Sequence, residues 1–313
     1  MAPPFDVILR SRPITFVIGP TQTEFVVHAN ALTRLSAPLQ ALLDGNMKEA
    51  QEGRVVWDDV DDQTFVRFIQ WAYTKDYVTA KPDTLNEASN SEADDDAFNL
   101  WRQPERALYS LQDKAVGAPA EHRTCPKGSN YQTYLSSPQD CPGCGDKFYG
   151  RNCINCDFCV DEYCLTCRTT RKGTAMAQDF LSKTNWSIFK TRFKPRPNSD
   201  PCDDYSVVFL GHASLYIIAD KYDIPALRKL SMHRLYQTLK TFTLYPSRMS
   251  DILALAALVF ENTRDEDELR SMVVHYCACI VEDLSKHKDY RPTLENYNEF
   301  CSALMAKMSE RLD

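Results

Sequence analysis

Apolar and polar positions divide the chain into three textures. From about residue 12 to 82, short apolar runs alternate with polar punctuation. Ile14-Thr15-Phe16-Val17-Ile18 is rich in β-branched and aromatic residues and stops at Gly19-Pro20; Glu24-Phe25-Val26-Val27-His28 follows, so the two runs predict a hairpin. Asn30 is placed to cap a helix carrying Leu32 and Leu35. Pro38 suits the first turn of a second helix with Leu39, Leu42 and Leu43, which Gly45 ends. Arg54-Val55-Val56-Trp57 predicts a third strand. After it, Asp61 or Asp62 caps a helix whose Phe65, Phe68, Ile69, Ala72 and Tyr73 recur at helical spacing and bury one wide face.

Between about 83 and 205 the periodicity fades. The stretch is polar, contains the acidic run Glu92-Ala93-Asp94-Asp95-Asp96, and reads as an insertion or linker around a small module. From about 206 onward apolar residues return at helical spacing. Leu215, Ile218, Ala219 and Tyr222 predict one helix, restarted at Pro225 with Leu227, Leu230, Leu235 and Leu239. Further helices are predicted over Ile252 to Phe260, then from a Thr263/Glu266 capping box through Leu269, Val273, Tyr276 and Ile280, and finally through Tyr297, Phe300, Leu304 and Met308.

Composition adds limits to this picture. A chain of 313 residues has room for two to three units, and 43% hydrophobic with 25% charged residues is the balance of a folded protein. The segment Met1 to Asp6 lacks a signal-peptide pattern. The apolar run from Ile252 to Phe260 is far shorter than the roughly 20 residues a bilayer requires, so no membrane association is expected. With no export signal, twelve cysteines point to reduced thiols and metal binding rather than disulfides, and to a cytoplasmic or nuclear setting. A net charge of −7 argues against a generally basic nucleic-acid surface.

Eight of the cysteines crowd into one stretch: Cys125, Cys141-x2-Cys144, Cys153-x2-Cys156-x2-Cys159 and Cys164-x2-Cys167. A C-x2-C knuckle puts two thiolates on one tight turn, and Zn²⁺ takes four soft ligands in a tetrahedron. Two knuckles complete a site, and eight sulfurs satisfy two ions. An iron–sulfur cluster fits less well, because the gap after Cys159 is one residue too long for the ferredoxin run and no proline follows Cys164. All-thiolate zinc is structural, and the chain has no phosphate loop, nucleophile elbow or His-Glu-x-x-His motif, so no enzyme is expected. From Arg123 to Arg196 twelve Lys and Arg stand against six Asp and Glu. Eight thiolates with two Zn²⁺ remove four of those six excess charges, leaving a weak footprint for nucleic acid. Arg192-Phe193-Lys194-Pro195-Arg196 reads as solvated linker in preference to a localisation signal. Cys277, Cys279 and Cys301 lie in apolar helices and are expected in the core.

The run Phe25-Val26-Val27-His28, then Leu32, Leu35-Ser36 and Leu39, then Gly53-Arg54-Val55-Val56-Trp57-Asp58-Asp59-Val60 and Phe65-x2-Phe68-x3-Ala72-Tyr73-Thr74-Lys75-Asp76-Tyr77 resembles the BTB/POZ family, in particular its fungal members. His212 to Leu227 is similar to the helices with which that family continues. The resemblance implies an α+β BTB fold made of residues 12–82 and 206–240. On the same resemblance residues 83–205 would be an insertion carrying the zinc module at about 122–170, and residues 241–313 a helical extension. His28 would pack at the strand-to-helix junction. Proteins are the implied partners, as a homodimer, a BTB heterodimer or a complex with a cullin-type scaffold. Cullin-binding members present a hydrophobic residue, any residue and a glutamate where Met47-Lys48-Glu49 stands, which makes Met47 and Glu49 candidate partner-binding residues. Against this stands the plainer reading that Met47 covers the core edge and Glu49 is solvated. The short segment before Ile14 leaves little material for the exchanged N-terminal elements of many BTB dimers.

The cysteine spacing, with Gly150-Arg151 ahead of Cys153, resembles a ZZ-type cross-braced zinc finger. That resemblance implies one ion on Cys141, Cys144, Cys164 and Cys167, and a second on Cys153, Cys156, Cys159 and Cys125, with His122 or Cys202 as substitutes for Cys125. The expected function is a protein-interaction adaptor, including a substrate adaptor for a cullin-type ubiquitin ligase. Two alternatives stay open: a zinc-finger ubiquitin ligase acting directly, and a transcription-related DNA-binding regulator.

Overall fold

The computed structural model describes residues 5–46, 48–84, 105–116, 139–140, 147–148, 165–187 and 193–310, with the backbone alone for 116, 139–140, 147–148 and 165–172. Helix α1 (Phe5–Leu9) leads into strand β1 (Pro13–Ile18), which pairs antiparallel with β2 (Thr23–His28), Ile14 opposite Val27 and Phe16 opposite Phe25. The turn between them opens on Gly19 at φ +65°, a conformation only glycine adopts freely. The chain then crosses over through α2 (Ala29–Leu32), α3 (Ala37–Asp44) and α4 (Lys48–Glu52). It returns as β3 (Arg54–Trp57), parallel to β1 on its other side, giving the order β2-β1-β3.

Alternation along the strands sends Ile14, Phe16, Ile18, Val27, Val55 and Trp57 to one face, where they meet Phe65, Phe68 and Ala72 of α5 (Asp62–Thr74). The ends of these helices follow from sequence. Ser36 accepts the Leu39 N–H ahead of α3, the Gly45 N–H donates to the Ala41 carbonyl at its end, and Asp61 Oδ1 accepts the Thr64 N–H at 2.9 Å ahead of α5. Asn30 differs from expectation. Helix α2 starts one residue earlier, and Asn30 instead donates its amide to the Val7 carbonyl at 3.2 Å while its N–H donates to Ser11 Oγ at 3.1 Å. It therefore fastens α1 to α2.

Downstream come α6 (Leu111–Val116) and α7 (Leu165–Ser182), then α8 (Ser206–Lys221) and α9 (Pro225–Thr241). Leu215, Ile218 and Ala219 of α8, with Ile224, Leu227 and Leu230, join the same core as β1, β3 and α5. Trp57 stacks on Tyr222, ring centroids 4.7 Å apart and planes 19° from parallel, and Lys221 Nζ reaches Asp59 at 2.6 Å. Two blocks of sequence separated by more than 120 residues thus close one core.

The other flank of α8 (Val208, Phe209, Ala213, Tyr216) faces a second, helical core. That core is completed by α10 (Met249–Asn262), α11 (Glu268–Cys279), α12 (Val281–Leu284), α13 (Tyr290–Asn296) and α14 (Asn298–Ser309). Helix α9 lies between the two cores and is buried nearly all round: Leu227 and Leu230 face one, and Met232, Leu235, Tyr236 and Leu239 the other. The Thr263/Glu266 capping box does not form. Asp267 Oδ1 accepts the Leu269 N–H at 2.7 Å and starts α11, while the Thr263 hydroxyl donates to the Val259 carbonyl at 2.6 Å and closes α10. Asp267 wins because it stands directly before the first turn. Cys277 and Cys279 are buried in this core as expected, whereas Cys301 is half-buried. Helices and small sheets are both present, as an α+β chain requires, and among the described residues no helix is long and apolar enough to cross a membrane.

Candidate interaction site and cysteine segment

Residues 105–116 and 173–187, which composition assigns to the polar insertion, are structural parts of the helical core. Tyr109–Ser110 pairs antiparallel with Thr243–Leu244. Leu111 and Ala115 of α6 and Met176, Ala177 and Phe180 of α7 are buried. Phe180 sits among Trp186, Tyr236, His275 and Tyr276, with ring centroids 5.3 to 5.7 Å away. The Tyr236 hydroxyl donates to the Phe180 carbonyl at 2.9 Å, and Gln178 donates to the Ala115 carbonyl at 2.8 Å. Lys114 donates to the Cys279 carbonyl at 2.5 Å and pairs with Glu282 at 3.1 Å, locking α6 onto the end of α11. The signal was present in the sequence, since Met176, Ala177, Phe180 and Leu181 repeat at helical spacing, but it is brief and diluted by polar neighbours.

The insertion leaves and re-enters the fold at one neck, where Asp83–Thr84 pairs antiparallel with Asp203–Asp204. Its returning end is stitched down. Asn198 mimics a strand partner, accepting the Thr243 N–H at 2.6 Å and donating to the Thr243 carbonyl at 2.7 Å, and Tyr205 donates to the Arg196 carbonyl at 2.6 Å. Within the candidate basic patch, Phe193 is half-buried against the Arg234 guanidinium, 4.8 Å from its ring centroid, while Lys194 and Arg196 stay exposed.

Arg234 on α9 fastens the two blocks together. Its guanidinium donates to the Tyr77 carbonyl and to Asp76, and lies 4.2 Å over the Tyr77 ring. The Tyr77 hydroxyl meets His212 Nδ1 at 2.7 Å. Burial, reinforced by Arg234 and Arg67, depresses the His212 pKa to about 3. His275 faces the Met176 carbonyl at 3.2 Å and is lowered to about 4, first by burial and then by Lys307. Asp251, which accepts the Tyr205 N–H at 2.9 Å, is raised by burial to about 6.

These shifts have a measurable consequence. Both histidines are held neutral in the fold, whereas in the unfolded chain they titrate near 6.5, so the unfolded state takes up more protons as pH falls below 6.5 and stability drains away towards pH 4. At about 1.4 kcal/mol per pH unit, moving from pH 7.5 to 5 costs about 2 kcal/mol at His212 and less at His275, while protonation of Asp251 in the fold returns about 1 kcal/mol. Urea midpoints at the two pH values should therefore fall towards pH 5. A midpoint that holds or rises would contradict neutral burial of the histidines.

The residues singled out from sequence divide sharply. Met47 lies outside the described residues; Glu49 is half-buried on the short α4, where Lys48 and Glu52 form an exposed ion pair at 3.7 Å. Cys125, Cys141, Cys144, Cys153, Cys156, Cys159 and Cys164, and His122, also lie outside the described residues, and Cys167 falls in the first turn of α7, where the backbone alone is described. Cys202 is half-buried beside the neck, its N–H donating to Asp200 Oδ1 at 2.8 Å. Among the described residues no group of three or more His, Cys, Asp or Glu could hold a metal ion.

One described surface is apolar without being core. On the face of the sheet turned away from α5, Val26 and Val56 are 70% and 60% exposed, and an Arg54–Glu24 ion pair at 2.7 Å reaches across β1. Isolated exposed valines are ordinary, so this face is left as part of the surface. No family model, curated protein or solved structure matches the chain.

Proposed function

We propose that the chain is a protein-interaction adaptor built on a BTB/POZ-type core, with function residing in surfaces and not in catalysis. The observation that carries this reading is the closure of one core by residues 14–77 and 215–230 across the insertion, with Trp57 against Tyr222 at the join. That juxtaposition is what the sequence resemblance leads one to expect. The α3–α4 corner supplies the candidate contact, Met47 as an apolar anchor and Glu49 as a neighbouring charge for a cullin-type scaffold. Light scattering on the purified chain and pull-down against such a scaffold test it. Association should be found in at least one of the two experiments, and a Met47→Ala/Glu49→Ala double variant should weaken scaffold capture by about tenfold or more, the loss of roughly one modest hot spot. A strictly monomeric chain that captures no protein partner would sink the adaptor reading.

The eight cysteines from Cys125 to Cys167 are proposed to hold two structural Zn²⁺ ions. The donor set fits that metal: every candidate ligand is a soft thiolate, most come in C-x2-C pairs, and the count satisfies two tetrahedra. Zinc would cross-link the segment between α6 and α7 and supply folding free energy there. Elemental analysis of chain purified without chelator should give about two zinc per chain, falling in Cys125→Ser. Iron, or no metal, contradicts the proposal.

A further inference from the structure

Arg234 sits between two aromatic rings. Its guanidinium carbon is 4.2 Å from the Tyr77 ring centroid and 4.8 Å from that of Phe193, and the Phe193 ring stands edge-on to His212 at 6.2 Å. Arg234, Tyr77 and His212 are buried, at 5%, 4% and 1% exposure. Arg67 of α5 lies half-buried against α8, with Nη1 3.6 Å from the point that a Cβ on Gly211, the neighbour of His212, would occupy. Helix α5, the stretch from Asp76 to Tyr77 that follows it, the α8–α9 pair and the returning end of the insertion thus meet at one spot.

The groups left unmet in this cluster are donors. The Tyr77 phenol, held protonated by burial, is 2.7 Å from His212 Nδ1. Were the hydrogen on Nδ1, the phenol hydrogen and the Nε2 lone pair would both lack a partner; with the phenol donating, the ring hydrogen sits on Nε2 and one group alone needs a partner. The Nε2–H of His212 and the Nε–H of Arg234 are buried and meet no acceptor among the described residues, and Arg67 makes no hydrogen bond or ion pair among them. Buried N–H groups are costly without an acceptor. Charge points the same way. Two guanidiniums stand against one carboxylate, Asp76, which Arg234 already holds, so one positive charge is left over. Arg234 and Arg67 both add to burial in keeping His212 neutral, and no carboxylate opposes them.

We propose that this cluster binds one small oxyanion, of the phosphate or carboxylate class, held by the Arg67 guanidinium and by the buried N–H groups of His212 and Arg234. A guanidinium fork matches an oxyanion in both geometry and charge, and one such anion supplies the acceptor and cancels the leftover charge. Exposed Lys81 and Lys194, which follow Ala80 and Phe193 in the chain, would draw it in. Bound beside Phe193, the anion would tie α5 to the α8–α9 pair, so that both sequence blocks and the end of the insertion tighten together. The inference is independent of the zinc reading and of any partner at Met47 and Glu49.

The experiment titrates sodium phosphate and sodium acetate separately into the full chain, at constant ionic strength set with sodium chloride. It follows the thermal midpoint and the ring-nitrogen resonances of isotope-labelled histidine. At least one of the two anions should raise the midpoint saturably, as a ligand of the folded state does, and shift the His212 Nε2 resonance over the same concentration range. His212→Asn assigns that resonance by its loss; if the variant does not fold, Tyr77→Phe assigns it by displacement. Arg67→Gln should weaken anion binding by about tenfold or more, and Arg67→Lys, a point charge in place of a fork, should recover part of it. Lys288→Gln, which removes an exposed charge between α12 and α13, should leave binding unchanged. The anion that acts tells the phosphate class from the carboxylate class. A rise of the same size in Arg67→Gln, or one that leaves the His212 resonance unmoved, puts the anion elsewhere and overturns the proposal. A chain indifferent to both anions overturns it too, the buried N–H groups then being met by water alone.

Discussion

Phe180→Ala is expected to destabilise the chain by about 3–5 kcal/mol, although the residue lies in a stretch whose composition resembles a linker. Phe180 is fully buried, and truncation would leave a cavity walled by Trp186, by Tyr236 of α9 and by His275 and Tyr276 of α11, the last three fixed on packed helices that resist collapse. The transfer free energy of the ring and the dispersion attraction forfeited around the void both count against the fold. If residues 173–187 were a solvated tether, the same change would cost less than about 0.5 kcal/mol. Urea unfolding followed by circular dichroism separates the two cases. Ala175→Ser, on the exposed side of the same helix, should shift the midpoint very little.

Trp57→Ala is expected to cost about 3–5 kcal/mol and to loosen both sequence blocks together. The indole contacts Phe16, Phe65 and Phe68 from the first block and stacks on Tyr222 from the second, so its removal opens the join. Trp57→Phe keeps most of the apolar area and should cost about 1–2 kcal/mol. Hydrogen exchange reads the outcome. Amides of β1 and β3 and of the second half of α8 should lose protection in the same proportion. If exchange rose only in β1 to β3, the two blocks would be independent units, and the BTB-type reading would lose its main support.

Much of the sheet block was legible because each of its elements obeys one period cleanly. Alternation in Ile14 to Ile18, the helical spacing from Phe65 to Tyr73, Pro38 in the first turn of α3, Gly45 at its end and the cap at Asp61 all point to the same arrangement that packing then favours. Asn30 and Thr263 misled for a shared reason. Both are good capping residues, but Asn30 lies inside the first turn of α2 and Thr263 stands four residues ahead of Asp267, which caps α11, so each is free for another bond. Helix α9 hid half of its burial. Ser231, His233, Arg234 and Thr238 look like a solvent face, but they pack against protein, Ser231 and Thr238 by donating to carbonyls one turn back and Arg234 by reaching Tyr77 and Asp76. The docked parts of the insertion carry little sequence signal because their apolar residues come in two short runs, around Leu111 and around Phe180, far apart in the chain and surrounded by polar sequence. The cysteine reading rests on sequence alone: C-x2-C spacing is a local property that needs no tertiary partner to be recognised, and seven of the eight candidate ligands lie outside the described residues.

The neck formed by Asp83–Thr84 and Asp203–Asp204 marks where the insertion departs from the sheet block, but it is the wrong place to cut. Excising residues 85–202 would also delete Leu111, Ala115, Met176, Ala177, Phe180 and Trp186, stripping one wall from the helical core. Residues 117–164 lie between α6 and α7, whose docked ends pack side by side, so a graft that exchanges only these residues keeps that wall and both anchoring helices. Descendants of such a chain could change what they carry at that position while the scaffold beneath stayed the same.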